Sequence, residues 1–219
     1  MRRTGSLPAA LALGALVCGC AWVPPVLTWG PPHVGEPGRK AVNPAVESEY
    51  EAVVRRYSAR AEVYSKLDTR AFLAATFQTL PFREARVRRE AAFLEEPPAW
   101  VDKHLSDERA LADASYEFLL GAHVNDYRFD DFDKASSVWR IALVTSAGET
   151  APCSVERVGR ANLSLRALYP YLDDFWTVYR VRFPKVAAGG GDAIPAVDGS
   201  VRVVIASSLG ATDLIFPAR

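Results

Sequence analysis

Two segments concentrate side chains able to do chemistry. The first, His123-Val124-Asn125-Asp126-Tyr127-Arg128-Phe129-Asp130-Asp131-Phe132-Asp133-Lys134, puts an imidazole and the carboxylates of Asp126, Asp130, Asp131 and Asp133 into twelve residues. Hard oxygen donors at that density suit Ca²⁺. The spacing is not that of an EF-hand loop, and Arg128 and Lys134 neutralise part of the charge. The competing expectation is a polar connection between strands, whose aspartates make turns and caps and which holds no cofactor. The second segment, Tyr169-Pro170-Tyr171-Leu172-Asp173-Asp174-Phe175-Trp176, sets aromatic rings beside carboxylates. Tyr169, Tyr171, Asp173, Asp174 and Trp176 are candidate ligand contacts there, able to stack on and hydrogen-bond a sugar ring or a peptide. The same composition also closes the end of a β-sandwich, with tyrosine hydroxyls bonded to backbone. Asp173 and Asp174 are neighbours, so on a strand they point to opposite faces and make a poor acid/base pair.

No Gly-rich phosphate loop precedes a helix, no serine nucleophile elbow is present, and the three histidines, His33, His104 and His123, are not at metal-ligand spacing. No catalytic residue is therefore assigned. The balance of 26 Lys+Arg against 26 Asp+Glu also excludes the basic stripe that a nucleic-acid partner requires. With 49% hydrophobic residues, the chain has enough apolar content to build a packed core.

The third chemical feature is at the N-terminus. Arg2 and Arg3 precede an apolar run from Leu7 to Val17, 11 residues long. About 20 residues are needed to span a bilayer at ~1.5 Å per residue, so the run has the length of a signal-peptide core. Val17-Cys18-Gly19-Cys20 follows it, and this segment resembles the lipobox of bacterial lipoprotein precursors. In that family an aliphatic residue and a small residue precede a cysteine that is lipidated and becomes the new N-terminus. Cys20 fits best, with Val17 three positions before it and Gly19 adjacent. The resemblance implies cleavage after residue 19, a diacylglyceryl thioether on Cys20, acylation of its amine, and membrane attachment through these chains. Each buried methylene contributes about 0.8 kcal/mol, so two or three chains hold almost permanently. Ala21 stands where an Asp would favour inner-membrane retention, so the resemblance implies the outer membrane. Cleavage removes Arg2 and Arg3 and leaves a net charge of −2. It also leaves one unmodified thiol, Cys153, expected to be buried as a small hydrophobe.

The remaining sequence divides by texture. Residues 20–45 contain six prolines and read as a lipid-anchored tether, extended at roughly 3 Å per residue. Residues 46–113 read as a helical segment. Tyr50, Val54, Tyr57, Ala61 and Tyr64 recur at spacings of three and four, which predicts a first helix. Phe72, Leu73 and Phe77 predict a second, from Asp68 or Thr69 to Gln78. A third follows Pro81 and stops at Pro97-Pro98, and a fourth spans about 99–114. Arg83, Arg86, Arg88 and Arg89 of the third, flanked by Glu84, Glu90, Glu95 and Glu96, predict a solvated, salt-bridged face.

Residues 114–219 change to β-branched and aromatic runs. Strands are predicted at 116–124, 137–146, 154–158, 163–168, 175–183, 200–207 and 212–216, alternating so that one sheet face is solvated. The expected fold class is α+β, an N-terminal helical segment packed with a C-terminal antiparallel β-sandwich. The expected role is that of a non-catalytic structural or interaction module at the cell envelope, meeting a protein or a glycan. The alternative is a periplasmic enzyme or metal-dependent binder that uses His123 to Asp133.

Overall fold

The computed structural model describes residues 44–66 and 68–218. The signal segment, Cys20 and the proline-rich tether up to residue 43 lie outside the described residues. The elements run α1 (Pro44–Tyr57), β1 (Ser58–Ser65), β2 (Asp68–Phe77), α2 (Leu80–Leu94), α3 (Pro98–Ala114), β3 (Ser115–Val124), β4 (Arg140–Thr145), β5 (Gly148–Thr150), β6 (Ser154–Arg160), α4 (Leu163–Leu168), β7 (Thr177–Pro184), β8 (Ser200–Ser207) and β9 (Gly210–Pro217). A single 3₁₀ turn, Tyr127–Phe129, lies between β3 and β4. All strand pairings are antiparallel. They form a five-stranded sheet of order β1-β2-β3-β7-β6 and a four-stranded sheet of order β5-β4-β8-β9. The fold class is α+β, as the sequence predicts.

The two sheets face each other across the larger core. Val63, Leu73, Phe118, Tyr179 and Phe183 come from one, and Leu143, Ile205, Leu214 and Phe216 from the other, all nearly or fully buried. Phe118 stacks on Phe77 at 4.4 Å, meets Phe183 edge-on at 5.7 Å, and reaches across to Phe216 at 5.1 Å. Such ring pairs contribute about 0.5–1.5 kcal/mol each beyond the area they bury. The sheets approach most closely where β1 passes β9. A Cβ on Gly210 would stand 2.7 Å from the Tyr64 carbonyl oxygen, and its φ of 141° also favours glycine.

A second core lies on the opposite face of the five-stranded sheet. Ala74, Leu119 and Val178 of the sheet pack there against Tyr50, Val54 and Tyr57 of α1, Phe82 and Ala85 of α2, and Tyr169, Tyr171 and Leu172. The five-stranded sheet is therefore covered on both faces over much of its length. The expected solvated face belongs to the four-stranded sheet, where Arg202 pairs with Asp213 at 3.1 Å and Arg140 pairs with Glu149.

Four expectations are corrected. The segment read as continuously helical contains β1 and β2, a hairpin that reverses between the paired Ser65 and Asp68 with Lys66 at φ 59°. Ala61 and Tyr64 continue the helical spacing of Tyr50 and Tyr57, but they sit on β1, where Ala59, Ala61 and Val63 face the inter-sheet core. Small inward side chains hide the two-residue period, and burial between layers overrides the helical preference of alanine in β2. The predicted strand 163–168 is α4, opened by the Asn162 side chain accepting from Leu165 N at 2.9 Å. Cys153 is exposed, its thiol donating to the Arg182 carbonyl at 3.3 Å beside the open edge at β6.

The fourth correction concerns the arginines of α2, two of which are buried and not solvated. Arg83 is 2% exposed and Arg89 7%. Arg83 donates to the Gln78 carbonyl at 2.8 Å and to Glu108 of α3 at 2.5 Å, and it lies 3.5 Å from Glu117 of β3. Glu117 also accepts from Arg182 at 2.9 Å, with Arg180 3.6 Å away. Arg89 grips Glu47 of α1 through two bonds, 2.5 and 2.9 Å long. Only Arg88, pairing with Glu84 at i,i+4 spacing, matches the predicted surface face.

Removing one member of a buried ionic group strands the others, at about 3–5 kcal/mol. Glu117→Ala should therefore lower unfolding free energy in urea by about that amount. Arg88→Ala, on the exposed face of α2, should change it by less than ~0.5 kcal/mol. Equal effects from the two substitutions would contradict the buried network.

Candidate binding site

The acidic segment does not assemble into one site. Asp126 caps the 3₁₀ turn by accepting from Arg128 N at 3.1 Å, and its carboxylate is held by the Arg128 side chain. Those hydrogen bonds, first among them the one from the guanidinium, lower its pKa to about 2. Asp130 turns inward and accepts from the Tyr179 hydroxyl at 2.7 Å, the Thr177 hydroxyl at 2.7 Å and Arg157 Nη2 at 2.9 Å. Burial, followed by this bond to Asp130, pushes the Tyr179 phenol upward. Asp131 accepts from the Ser137 hydroxyl at 3.0 Å, and Asp133 lies 4.0 Å from Arg157.

His123 is on the other face of the sheet from this network. Its strand neighbours Ala122 and Val124 enter the inter-sheet core that also holds Tyr179, while His123 points outward. Among the described residues no group of three His, Cys, Asp or Glu side chains converges to hold a metal ion. The four aspartates act as caps and as anchors for the β3–β4 connection.

The aromatic segment is divided by the fold. Tyr169 and Tyr171 enter the helix-side core, 2% and 8% exposed. The Tyr169 hydroxyl donates to Gln78 Oε1 at 3.1 Å, and the Tyr171 hydroxyl is 2.8 Å from Thr76 Oγ1, which is 2.7 Å from Ser58 Oγ. Burial raises the pKa of both phenols, so they serve as neutral hydrogen-bonding core residues. Asp173 accepts from Phe175 N at 2.8 Å and shapes the turn into β7, and Asp174 pairs with Arg166 of α4 at 2.9 Å.

The turn built by Asp173 presents Phe175 to solvent, 68% exposed, and lays Trp176 over β3. Phe175 stands beside His123 with ring centres 6.4 Å apart. His123 in turn faces Phe72, its partner in the β2–β3 register, at 6.2 Å. His123 Nδ1 is 3.4 Å from the Phe175 carbonyl oxygen, which also accepts from Arg160 Nη1 at 3.0 Å. Phe72 is 36% exposed. The result is a row of three rings, Phe72, His123 and Phe175, on the part of the sheet that the helices leave uncovered, with Trp176 packed behind it and Arg160 at its margin. Glu62 adds a carboxylate opposite Phe72 and accepts from the Tyr64 hydroxyl.

The structure thus joins His123 of the acidic segment to the end of the aromatic segment, a pairing absent from the sequence reading. The contribution of Phe72 was missed because the strand carrying it was read as a helix. Flat rings at the surface, edged by an arginine and a carboxylate, can stack on a ring or an apolar side chain and hydrogen-bond its polar groups. They offer no nucleophile held by a base.

No protein-family model matches the chain, and no curated protein does. Among solved structures, a protein of unknown function from Burkholderia pseudomallei is similar at 13% identity and a TM-score of 0.41, covering 81% of this chain and 86% of that one.

The platform depends on Gly121. A Cβ there would lie 2.4 Å from Leu172 Cδ2 and 2.9 Å from the Trp176 ring. Gly121→Ala should destabilise the protein by about 1–3 kcal/mol, as overpacking does, and should disturb Trp176. A lowered melting temperature with altered tryptophan fluorescence is the expected result; an unchanged emission spectrum would show that Trp176 does not depend on the missing Cβ.

Proposed function

We propose that the chain is a lipid-anchored envelope protein whose folded part is a non-catalytic interaction module, meeting a protein or a glycan through the Phe72, His123 and Phe175 row. The lipobox-like Val17-Cys18-Gly19-Cys20, behind Arg2, Arg3 and a short apolar run, supports the anchor. Cys20 carries the lipid, Ala21 in place of an inner-membrane-retaining Asp favours the outer membrane, and the proline-rich stretch after it serves as the tether.

The observation that carries the interaction reading is the exposed ring row. A phenylalanine 68% exposed and another at 36%, joined through an imidazole, make a contiguous apolar surface, and such surfaces mark recognition sites where isolated apolar residues do not. The hydrogen bonds of Asp173 and Arg160 fix the turn that presents Phe175, which lowers the ordering cost of stacking a partner on it.

Two experiments test the reading. Cys20→Ala should shift the chain from the membrane pellet to the soluble fraction or leave it as unprocessed precursor; unchanged fractionation and mass would refute lipidation. For the ring row, in-cell crosslinking followed by detergent purification should recover a protein or glycan adduct from the native chain. The pair Phe72→Ser and Phe175→Ser should reduce that adduct about tenfold while leaving the melting temperature within a few degrees, because both rings are already exposed. Recovery of the same adduct at the same yield would place the contact elsewhere.

A further inference from the structure

A cleft of about 290 Å³ lies at the opposite end of β3 from His123. Its floor is Phe77 and Tyr116, its apolar walls are Leu80, Pro81, Ile194 and Ala218, and Lys185 and Asp192 form one polar side. The Lys185 ammonium sits 3.7 Å from the centre of the Tyr116 ring. The Tyr116 hydroxyl donates to Asp192 Oδ1 at 2.6 Å, and that oxygen also accepts from Ile194 N at 3.0 Å. The side of the cleft is held by a small hairpin, in which Val186 bridges to Asp192 and Ala193 N donates to the Lys185 carbonyl at 2.7 Å.

Lys185 contrasts with the arginines of the fold. Arg83, Arg86 and Arg89 each bond a carboxylate directly. The half-buried Lys185 ammonium instead lies over the Tyr116 ring face, with the carboxylates of Asp192 and Asp113 as its charged neighbours. Asp192 is directed to Tyr116 and Ile194, and Asp113 lies at the exposed rim, where water screens it. Burial lowers the Lys185 pKa, followed by the opposing influence of Asp192 and Asp113. A half-buried cation over a ring face, opposite an apolar wall in a cavity near the small end of ligand pockets, can donate to an anionic acceptor that carries a short apolar body.

We propose that this cleft binds a small amphipathic carboxylate, its carboxyl group on the Lys185 ammonium and its alkyl portion against Leu80, Pro81 and Ile194. The site is separate from the ring row and does not depend on that surface having a partner.

The test uses the full chain in non-ionic detergent, hexanoate as the probe and hexylamine as the charge-reversed control. Lysines are acetylated with a limiting amount of an activated ester and mapped by mass spectrometry. Hexanoate should slow acetylation of Lys185 several-fold while leaving the exposed Lys66, Lys103 and Lys134 unchanged, and hexylamine should protect none of them. Lys185→Met keeps an apolar stem against Tyr116 and removes the charge; it should weaken hexanoate binding, followed by calorimetry, about tenfold, and Lys185→Arg should restore most of it. Equal protection by hexylamine, no protection by hexanoate, or full hexanoate affinity in Lys185→Met would each overturn the proposal.

Discussion

The carboxylate of Glu117 lies where the helical layer meets the five-stranded sheet, and the rest of the fold is organised around its neutralisation. It is 8% exposed, on a strand buried on both faces, so water cannot solvate it. Its charge is met by Arg182 and Arg180 from the adjoining strand and by Arg83 from α2. Arg83 is itself nearly inaccessible and must share its charge with Glu108 of α3. The backbone obeys the same junction, since Gln78 N donates to the Glu117 carbonyl at 2.8 Å as the chain leaves β2 for the helix. A hydrophobic layer alone tolerates sliding; a buried carboxylate with several fixed partners has few good positions. That constraint sets the register of α2 and α3 on the sheet.

How much of this was legible in the sequence follows from which faces the elements show. The alternation of Tyr179, Val181 and Phe183 with Arg180 and Arg182 gave β7 correctly, because polar residues mark the second face even where that face is covered by arginine–carboxylate pairs. The same logic was too weak for β1 and β2. Several of their inward residues are alanine, and Tyr64, outward on β1, happens to extend the tyrosine spacing of α1, while Phe72, Leu73 and Phe77 of β2 suit a helix face as well. Asn162 was a readable cap, but Leu163 and Leu165 alternate with Ser164 and Arg166 as a strand does when the cap is ignored. For α2 the arginines were legible as ion-paired, and their burial was not, since burial is decided by Glu108 and Glu117 from other elements.

The candidate site was legible in fragments. Trp176 and His123 were each singled out, in different segments and for different chemistry, and only the pairing of β2, β3 and β7 brings their surroundings together. Tyr169 and Tyr171 had the composition of a ligand contact. Their hydroxyls are instead occupied by Thr76 at the end of β2, a strand that the sequence reading did not contain, and by Gln78 just beyond it. A hydrogen-bond partner more than ninety residues away leaves no local trace. The aspartates near Asp130 illustrate the same limit, because Tyr179 and Thr177 use a carboxylate that local spacing offered equally well to Ca²⁺.

Why rings remain exposed at one end of the sheet follows from how its cover is built. Along the outward face of β2, Thr76 and Ala74 are fully buried beneath the helix-side core, and two residues further Phe72 is open to solvent. On β3 the corresponding step runs from Leu119 through Gly121, where Leu172 and Trp176 press directly onto the backbone, to His123. Each covering element ends at that line. A surface position beyond it needs nothing from folding that a threonine or an arginine would not supply, and β-strands accept both kinds of residue there. Covering the part of each ring still exposed, 36% of Phe72 and 68% of Phe175, would contribute about 1–2 kcal/mol for Phe175 and less for Phe72, and in the described structure no element does so. The stabilisation left unclaimed on that shelf is available to a partner that covers it, which is the physical content of calling it an interaction surface.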